Sequence, residues 1–260
     1  MKRYLAILAL LPLLAMGGRQ QGMGPGPGMP ASAGGGGGPT LKGHTYCYSS
    51  GSVSAVSTSS CGGGGPLTVA VGDVVVVNCG NPGYTGATYA NASDSAGNSY
   101  TQGPFKTSYG YNAVYGNQLN WSVAATAGAT NFTCTWSTSV SNAGMIVLDY
   151  GGLTGVENTS LFGRLGPNSS AFITGSFTTT ARTLIIACTS SSWTTTGAWI
   201  AGSVAGGSGT IVGVPAASLT TSAYSACEAY QASTAVTGTA AMTATGAFGD
   251  YAYGVLAFDY

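Results

Sequence analysis

The sequence predicts an all-β fold, a two-sheet antiparallel β-sandwich of jelly-roll type, over residues 44–260. Short runs rich in Val, Ile, Thr, Phe and Tyr are separated there by clusters of Gly, Asn, Ser and Pro. No segment of this region shows the sustained 3.6-residue period of an amphipathic helix. Glycine supplies 43 of the 260 residues, which is typical of a chain with many turns.

The first 17 residues have the pattern of a signal peptide. Lys2 and Arg3 precede an apolar stretch, residues 5–15, which is followed by small residues. Eleven apolar residues are too few to span a bilayer, which needs about 20. We therefore expect an exported protein without a transmembrane segment, secreted and in some settings associated with the cell surface.

Residues 18–43 are predicted to be a flexible linker. Between residues 18 and 39, 14 of 22 residues are Gly or Pro, so the segment has little apolar area to bury. The first cysteine, Cys47, lies far from the predicted cleavage region, so a lipid anchor has no attachment point there.

Two runs alternate as strands with one buried face do. The residues that share a face are Leu119, Trp121 and Val123 in the first run, and Phe132, Cys134 and Trp136 in the second. Four other runs are apolar on both faces, which favours central strands and leaves self-association open. These runs are residues 74–77, 145–148, 184–187 and 255–258.

The segment from Asp94 to Tyr100 is predicted to form a hairpin turn. Asp94 can accept bonds from nearby backbone N–H groups, and Gly97 can adopt a positive φ. A calcium loop is a poor alternative, because the segment holds only one carboxylate.

Shifting the sequence by 110 residues without a gap aligns residues 66–150 with residues 176–260. Asp149 and Tyr150 then meet Asp259 and Tyr260, and many Gly, Ser and Thr residues coincide. This pattern predicts an internal pseudo-two-fold duplication. We expect the two copies to close one sandwich with a shared core, since a Gly-rich unit of this size buries little apolar surface alone.

Several motifs resemble a β-sandwich module of secreted bacterial proteins. They are Gly-Asp before the apolar strand 74–77, the turn 94–100, the strand that ends in Asp149-Tyr150-Gly151, and the segment 179–186. The resemblance covers about residues 66–260 and implies the fold and the extracellular compartment. It implies no catalytic residue, and the cysteines of this chain depart from its usual pattern.

Six cysteines behind a signal peptide predict three disulfides. In the 110-residue alignment, Cys79 and Cys134 have no cysteine counterparts, and neither do Cys188 and Cys227. A bridge gained or lost as a unit leaves this signature. The predicted pairs are therefore Cys79 with Cys134, Cys188 with Cys227 and, by elimination, Cys47 with Cys61.

Charge and side-chain chemistry exclude several functions. Charged residues make up 5% of the chain and seven basic residues balance seven acidic ones, so we expect no nucleic-acid partner. The only histidine, His44, lies where the linker meets the domain, which argues against a Ser-His-Asp triad. The sequence predicts no metal, no cofactor and no identifiable catalytic residue.

Carboxylates are the main candidates for chemistry. Asp149 and Asp259 occupy equivalent strand ends and are interpreted as architectural, while Asp73, Asp94 and Asp250 are assigned to turns. Glu157 and Glu228 remain as a pair that a carbohydrate-active enzyme could use, provided that they face each other across a groove.

Aromatic residues supply the candidate ligand surface, because aromatic rings pack on sugar faces and a phenol adds a hydrogen bond. In the 110-residue alignment, the second copy has no aromatic residue opposite four tyrosines of the first copy. Phe105 and Lys106 lie in the same stretch as these tyrosines. The candidate ligand-binding residues are Tyr100, Phe105, Lys106, Tyr109, Tyr111 and Tyr115.

Three functions are compatible with these features. The first is a non-enzymatic extracellular binding or assembly module whose partner is a polysaccharide or a cell-surface protein. The second is a glycosidase or lyase on a jelly roll. The third is a filament or coat subunit in which residues 67–71 complete the sheet of a neighbour.

Overall fold

The computed structural model describes residues 38–61, 63–64, 66–81, 90–110, 113–164, 169–173, 176–180, 182–191, 199–212, 225–248 and 251–260. All of them belong to one compact unit, Ser32–Tyr260. The predicted signal peptide and residues 18–37 of the predicted linker lie outside this description. The described residues form 18 strands and no helix, so the all-β prediction is confirmed. None of these residues forms a helix that could span a membrane.

The strands fall into two groups along the chain. The first group is β1 (Thr40–Ser57), β2 (Gly63–Gly64), β3 (Val74–Asn81), β4 (Ala90–Asp94), β5 (Thr101–Gly110), β6 (Ala113–Val123) and β7 (Phe132–Gly151). The second group begins with β8 (Gly155–Arg164), β9 (Ser169–Ile173), β10 (Phe177–Thr178), β11 (Thr183–Ser191) and β12 (Trp199–Val204). It continues with β13 (Gly207–Ser208), β14 (Thr210–Val212), β15 (Ser225–Ala232), β16 (Thr237–Gly238), β17 (Ala240–Phe248) and β18 (Tyr251–Asp259).

Four antiparallel sheets result. The seven-stranded sheet has the order β2-β1-β7-β3-β6-β5, with β4 paired to β7 off this path. The second group forms a five-stranded sheet, β14-β15-β11-β18-β8, a four-stranded sheet, β13-β12-β17-β9, and the short pair β10-β16. Because β1 starts at Thr40 and pairs with β7, the last residues assigned to the linker are part of the sheet.

Buried apolar side chains form three clusters. The first cluster draws its members from Cys47 to Val147, and the second cluster draws them from Phe177 to Ala257. The central cluster combines residues of the seven-stranded and five-stranded sheets, so these sheets pack on each other. The two strand groups therefore share the central cluster, and each group also buries a cluster of its own.

The four doubly apolar runs are explained by this layering. In β3, Val74 and Val76 belong to the central cluster, while Val75 and Val77 belong to the first cluster. The same alternation holds for 145–148, and the runs 184–187 and 255–258 alternate between the central and second clusters. Both faces are covered within the chain, so these runs provide no apolar surface for self-association.

The long strand β7 changes its facing pattern at Asn142. Phe132, Cys134 and Trp136 reach the first cluster from even positions, whereas Met145 and Val147 reach it from odd positions. Asn142 lies between them with a φ of 59°, and the pairing of β7 with β1 shifts register beside it. Asn tolerates this left-handed conformation better than most residues. The bulge therefore keeps both ends of β7 on one core.

Two local predictions are corrected by the strand pairing. The turn after Asp94 does not close a hairpin, because β4 pairs with β7 while β5 pairs with β6. Residues 67–71 are also not free to complete a neighbour's sheet, since Leu67 and Val69 are buried in the first cluster. The carbonyl of Val69 accepts a bond from the N–H of Gly128, which fixes the segment further.

Three disulfides are present, and they join the pairs that the sequence predicts. They are Cys47 with Cys61, Cys79 with Cys134, and Cys188 with Cys227. The last pair occupies directly opposed positions on β11 and β15. Each bridge lies in or against a buried cluster.

Candidate functional site

Most of the predicted aromatic surface lies on the hairpin of β5 and β6, at one edge of the seven-stranded sheet. Phe105, Lys106 and Tyr109 belong to β5 and Tyr115 to β6, but their side chains lie outside what the structure describes. Tyr111 lies outside the described residues altogether. The segment that carries these residues forms two paired strands, with Ser108 opposite Tyr115.

Tyr100 is the one predicted ligand residue whose side chain is described, and it serves the turn. Its hydroxyl donates to Oδ2 of Asp94 over 2.9 Å, and its ring packs against the first cluster. Burial, followed by the negative charge of Asp94, raises the pKa of Tyr100. Its role in this structure is therefore packing and turn stabilisation.

Asp94 organises that turn as the sequence predicts. Its Oδ1 accepts bonds from the N–H groups of Ala96 and Asn98, at 2.9 and 3.2 Å. Gly97 adopts a φ of 77°, which a side chain would disfavour. With its carboxylate oxygens used in this way, Asp94 is a structural residue.

A different polar group has the features of a site. Lys42 lies at a bulge of β1, between the pairs Leu41 with Tyr150 and Gly43 with Asp149. A bulge redirects a side chain relative to the regular strand. The Nζ atom of Lys42 consequently lies 2.6 Å from Oδ1 of Asp73, the residue immediately before β3.

Lys42 reaches Asp73 across the intervening strand. The sheet order is β1-β7-β3, so β7 separates the two residues. At the crossing point β7 carries Gly151, where a Cβ atom would lie only 2.6 Å from Cε of Lys42. The absence of a side chain at residue 151 therefore makes this contact possible.

Asp149 is the third member of this polar group. It is 1% exposed, and no described residue donates a hydrogen bond to either of its oxygens while the carboxyl groups of Asp73 and Asp149 are both ionised. Burial, followed by the charge of neighbouring Asp73, raises the pKa of Asp149 to about 6, although the charge of Lys42 lowers it. Two adjacent carboxyl groups can hydrogen-bond only when one carries a proton, so this pair favours proton retention.

The group opens to solvent through a groove of about 430 Å³. The residues that line it are Gly38, Thr40, Lys42, Val71, Gly72, Asp73, Gly151 and Gly152. The walls are mostly backbone and short side chains, so small polar molecules can reach Lys42 and Asp73. Asp149 is not among the lining residues and acts from behind them.

Glu228, one of the two carboxylates proposed for glycoside chemistry, is enclosed. Its Oε1 accepts a 2.6 Å bond from the Tyr253 hydroxyl, and its Oε2 accepts a 3.1 Å bond from the N–H of Gly202. Burial raises the pKa of Glu228 to about 7, while both hydrogen bonds lower it. A fully buried carboxylate cannot touch a glycan. The side chain of Glu157 lies outside the described set.

The sequence did not indicate the Lys42 group as a site. The sequence pattern places Lys42 in the predicted linker, Asp73 in a turn and Asp149 at an architectural strand end, and 107 sequence positions separate Lys42 from Asp149. The only local signal is the pairing of Gly72-Asp73 before one strand with Asp149-Tyr150-Gly151 at the end of another. Nothing in that pattern locates the bulge that brings the lysine across.

Comparisons of the chain with protein families, curated proteins and solved structures give no match. Any function must therefore be argued from the residues and their geometry.

Proposed function

We propose that this chain is an exported, disulfide-stabilised β protein that acts outside the cytoplasm as a non-enzymatic binding module. The observation that carries the proposal is the burial of all three disulfides in or against the hydrophobic clusters. Structural disulfides persist in oxidising compartments and are rare in the cytosol. The signal-peptide pattern of residues 1–17 supports the same compartment.

The environments of the described carboxyl groups support binding over catalysis. Among the described side chains, Glu228 is enclosed, Asp94 is used by its turn and Asp73 is paired with Lys42. General acid–base hydrolysis of a glycan requires two carboxyl groups that both reach the substrate.

The proposed ligand surface is the edge hairpin of β5 and β6, and the proposed ligand is a polysaccharide. The support is its position at the end of the seven-stranded sheet and its content of Phe105, Tyr109 and Tyr115, with Lys106 as the one cation. Aromatic rings with few charges suit the apolar faces of sugar rings.

We also propose that a jelly-roll-like sandwich arose from a duplicated unit. The orders β5-β6-β3-β7-β1 and β14-β15-β11-β18-β8 place strands of corresponding sequence position in the same succession. A single 110-residue shift does not fit every strand, since Val75 pairs with Asp149 whereas Thr183 pairs with Asp259. The displacement of two residues is even, so it keeps the same faces buried.

Retention on insoluble polysaccharides tests the binding role. The exported chain should be retained on at least one of cellulose, chitin and xylan, and the double variant Phe105→Ala/Tyr109→Ala should lose at least about tenfold in affinity, the effect of removing two stacking contacts. Ile200→Ala, which truncates an exposed side chain on β12, is the matched control and should bind normally. Absence of retention, or equal loss in the control, contradicts the proposal.

Export of the chain from the cytoplasm is tested in a separate experiment. After expression of the full chain in a bacterium, we expect the protein outside the cytoplasm with a new N-terminus near residue 18. An uncleaved protein confined to the cytoplasm would contradict export.

A further inference from the structure

Three groups around β7 have the arrangement needed for a covalent cross-link. Nζ of Lys42 and Oδ1 of Asp73 are 2.6 Å apart, and Asp73 is buried. The other oxygen of Asp73 is held by the N–H of Ala70 over 2.9 Å, which orients the carboxyl group toward the lysine. The third group is Asp149, buried beside Asp73, and none of the described residues donates to either of its oxygens.

We propose that Lys42 and Asp73 condense into an isopeptide bond, with Asp149 as the acid–base residue that carries protons during the reaction. The product is an amide between Nζ of Lys42 and Cγ of Asp73, and one water molecule is released. No oxidant, reductant or external co-reactant is needed. This inference concerns the Lys42 group and does not depend on the proposed polysaccharide surface.

The reaction begins with a proton transfer inside the ion pair. The ammonium group of Lys42 gives a proton to the carboxylate of Asp73 along their hydrogen bond, leaving a neutral amine and a neutral carboxylic acid. The nitrogen lone pair then attacks Cγ of Asp73. Meanwhile the protonated carboxyl of Asp149 hydrogen-bonds to the oxygen that gains negative charge, as an oxyanion stabiliser does.

The intermediate collapses when the bond from Cγ to the hydroxyl oxygen breaks. That hydroxyl leaves as water with a proton from Asp149, and Asp149 recovers a proton from the nitrogen that was the amine. The balance is one ammonium and one carboxylate converted to one amide and one water. The groove beside Gly72 and Gly151 provides a path by which the water leaves.

Three features of the surroundings favour this reaction, although the Lys42 side chain is 41% exposed. The fold holds amine and carboxyl in contact, which converts a bimolecular condensation into an intramolecular one. Burial and the charge of Asp73 raise the pKa of Asp149 to about 6, so a fraction of this carboxyl group carries a proton near neutral pH. Because Gly151 has no side chain, the side chain of Lys42 has space to cross β7 and reach Asp73.

The cross-link would fasten β1 to β3, which are both paired to β7 but not to each other. No described disulfide makes that connection directly, because Cys47 joins Cys61 and Cys79 joins Cys134. A bond at this place would survive reducing agents, unlike the three disulfides.

Intact-mass measurement of the purified full chain, reduced and denatured, tests the proposal. We expect the wild-type mass to be lower than the sequence mass by one water molecule, and tandem mass spectrometry should find a branched peptide joining Lys42 to Asp73. A wild-type chain with full mass overturns the proposal and leaves Lys42 and Asp73 as an ion pair. This outcome needs no variant and so does not depend on whether a variant folds.

Variants then assign the roles. Lys42→Arg preserves the charge but cannot form the amide, so it should retain full mass. Asp149→Asn should slow cross-linking by about 100-fold, the usual contribution of a general acid–base residue. Asp259→Asn, the same change at the corresponding strand end of the second group, should cross-link at the wild-type rate. Equal rates for Asp149→Asn and wild type would remove Asp149 from the mechanism.

Discussion

The hydroxyl of Tyr253 donates a 2.6 Å hydrogen bond to Oε1 of Glu228, and the carboxyl group that receives it is fully buried. Among the described residues, only this hydroxyl and the N–H of Gly202 donate hydrogen bonds to the carboxyl group of Glu228. Two neutral donors do not balance a buried negative charge, since removal from water strongly disfavours the ionised form. The pKa of Glu228 is accordingly raised to about 7.

The first prediction concerns the pH dependence of Glu228. The unfolded chain ionises this group near its ordinary value of 4.5, whereas the folded chain retains the proton until about 7. Folding thus binds a proton in this window, so stability falls as pH rises from 4.5 to 7, by about 3 kcal/mol. Glu228→Gln should lose this fall, as measured by urea unfolding from pH 4 to pH 8.

The comparison between wild type and Glu228→Gln isolates the contribution of the Glu228 carboxyl group to the pH dependence of stability. Asp149 also has a raised pKa, about 6, but its contribution is present in both proteins. If the two stability curves stay parallel across the window, the carboxyl group of Glu228 does not titrate as described.

The second prediction concerns Tyr253→Phe. A bond to an ionised acceptor contributes more than a bond to a neutral one, so the loss should be about 2 kcal/mol at pH 8 and about 1 kcal/mol at pH 5. The control is Tyr260→Phe, because the Tyr260 hydroxyl donates to the neutral carbonyl of Ala232 over 2.9 Å. Its loss should be the same at both pH values. A pH-independent effect of Tyr253→Phe would be inconsistent with a charged Glu228 at pH 8.

The third prediction concerns the bulge at Asn142. Its φ is 59°, and its Oδ1 accepts a 2.9 Å bond from the Tyr48 hydroxyl. Asn142→Ala and Asn142→Gly both remove that bond, but only alanine disfavours the left-handed backbone. Asn142→Ala should therefore be less stable than Asn142→Gly by about 1 kcal/mol in chemical unfolding. Tyr48→Phe removes the same bond without changing residue 142, and a more stable alanine variant would refute the backbone argument.

The fourth prediction ranks two disulfides by the length of chain that each closes. The bridge between Cys79 and Cys134 spans 55 residues, and the bridge between Cys47 and Cys61 spans 14. Restriction of the unfolded chain grows with loop length, so paired Cys→Ala variants should lose about 4 and about 3 kcal/mol, respectively. Burial of Cys79 and Cys134 in the first cluster adds to the larger loss. The reverse order in denaturant unfolding would contradict this ranking.

The sequence predicted those parts of the fold that depend on alternation and local turn chemistry. Leu119 belongs to the central cluster with Trp121 packed against it, and Phe132 and Cys134 share the first cluster, as their spacing of two residues indicates. Asp94 and Gly97 form their turn because their requirements are local. Two of the cysteine pairs follow from comparing the two aligned segments of the chain, and the pair of Cys47 with Cys61 follows by elimination.

Features set by register and layering could not be predicted in the same way. Which strand pairs with β4 depends on tertiary packing, so the local turn chemistry at Asp94 predicts a hairpin that the fold does not contain. The reversal of facing at Asn142 depends on a single backbone angle. Lys42 meets Asp73 only because a bulge and Gly151 coincide across β7, and neither is visible as a periodic pattern.

Because β7 runs as one strand from Phe132 to Gly151, hydrogen exchange in the strands around it should depend on the opening of β7. It carries side chains into the first cluster from both sides of Asn142 and pairs with β1, β3 and β4. Backbone amides near Phe132 and near Val147 should accordingly exchange with deuterium through one common opening, although 15 positions separate them. A protease cut within β7 should disrupt its pairing with β1, β3 and β4 together. A cut next to the edge strand β5 should leave the pairing of those three strands with β7 intact.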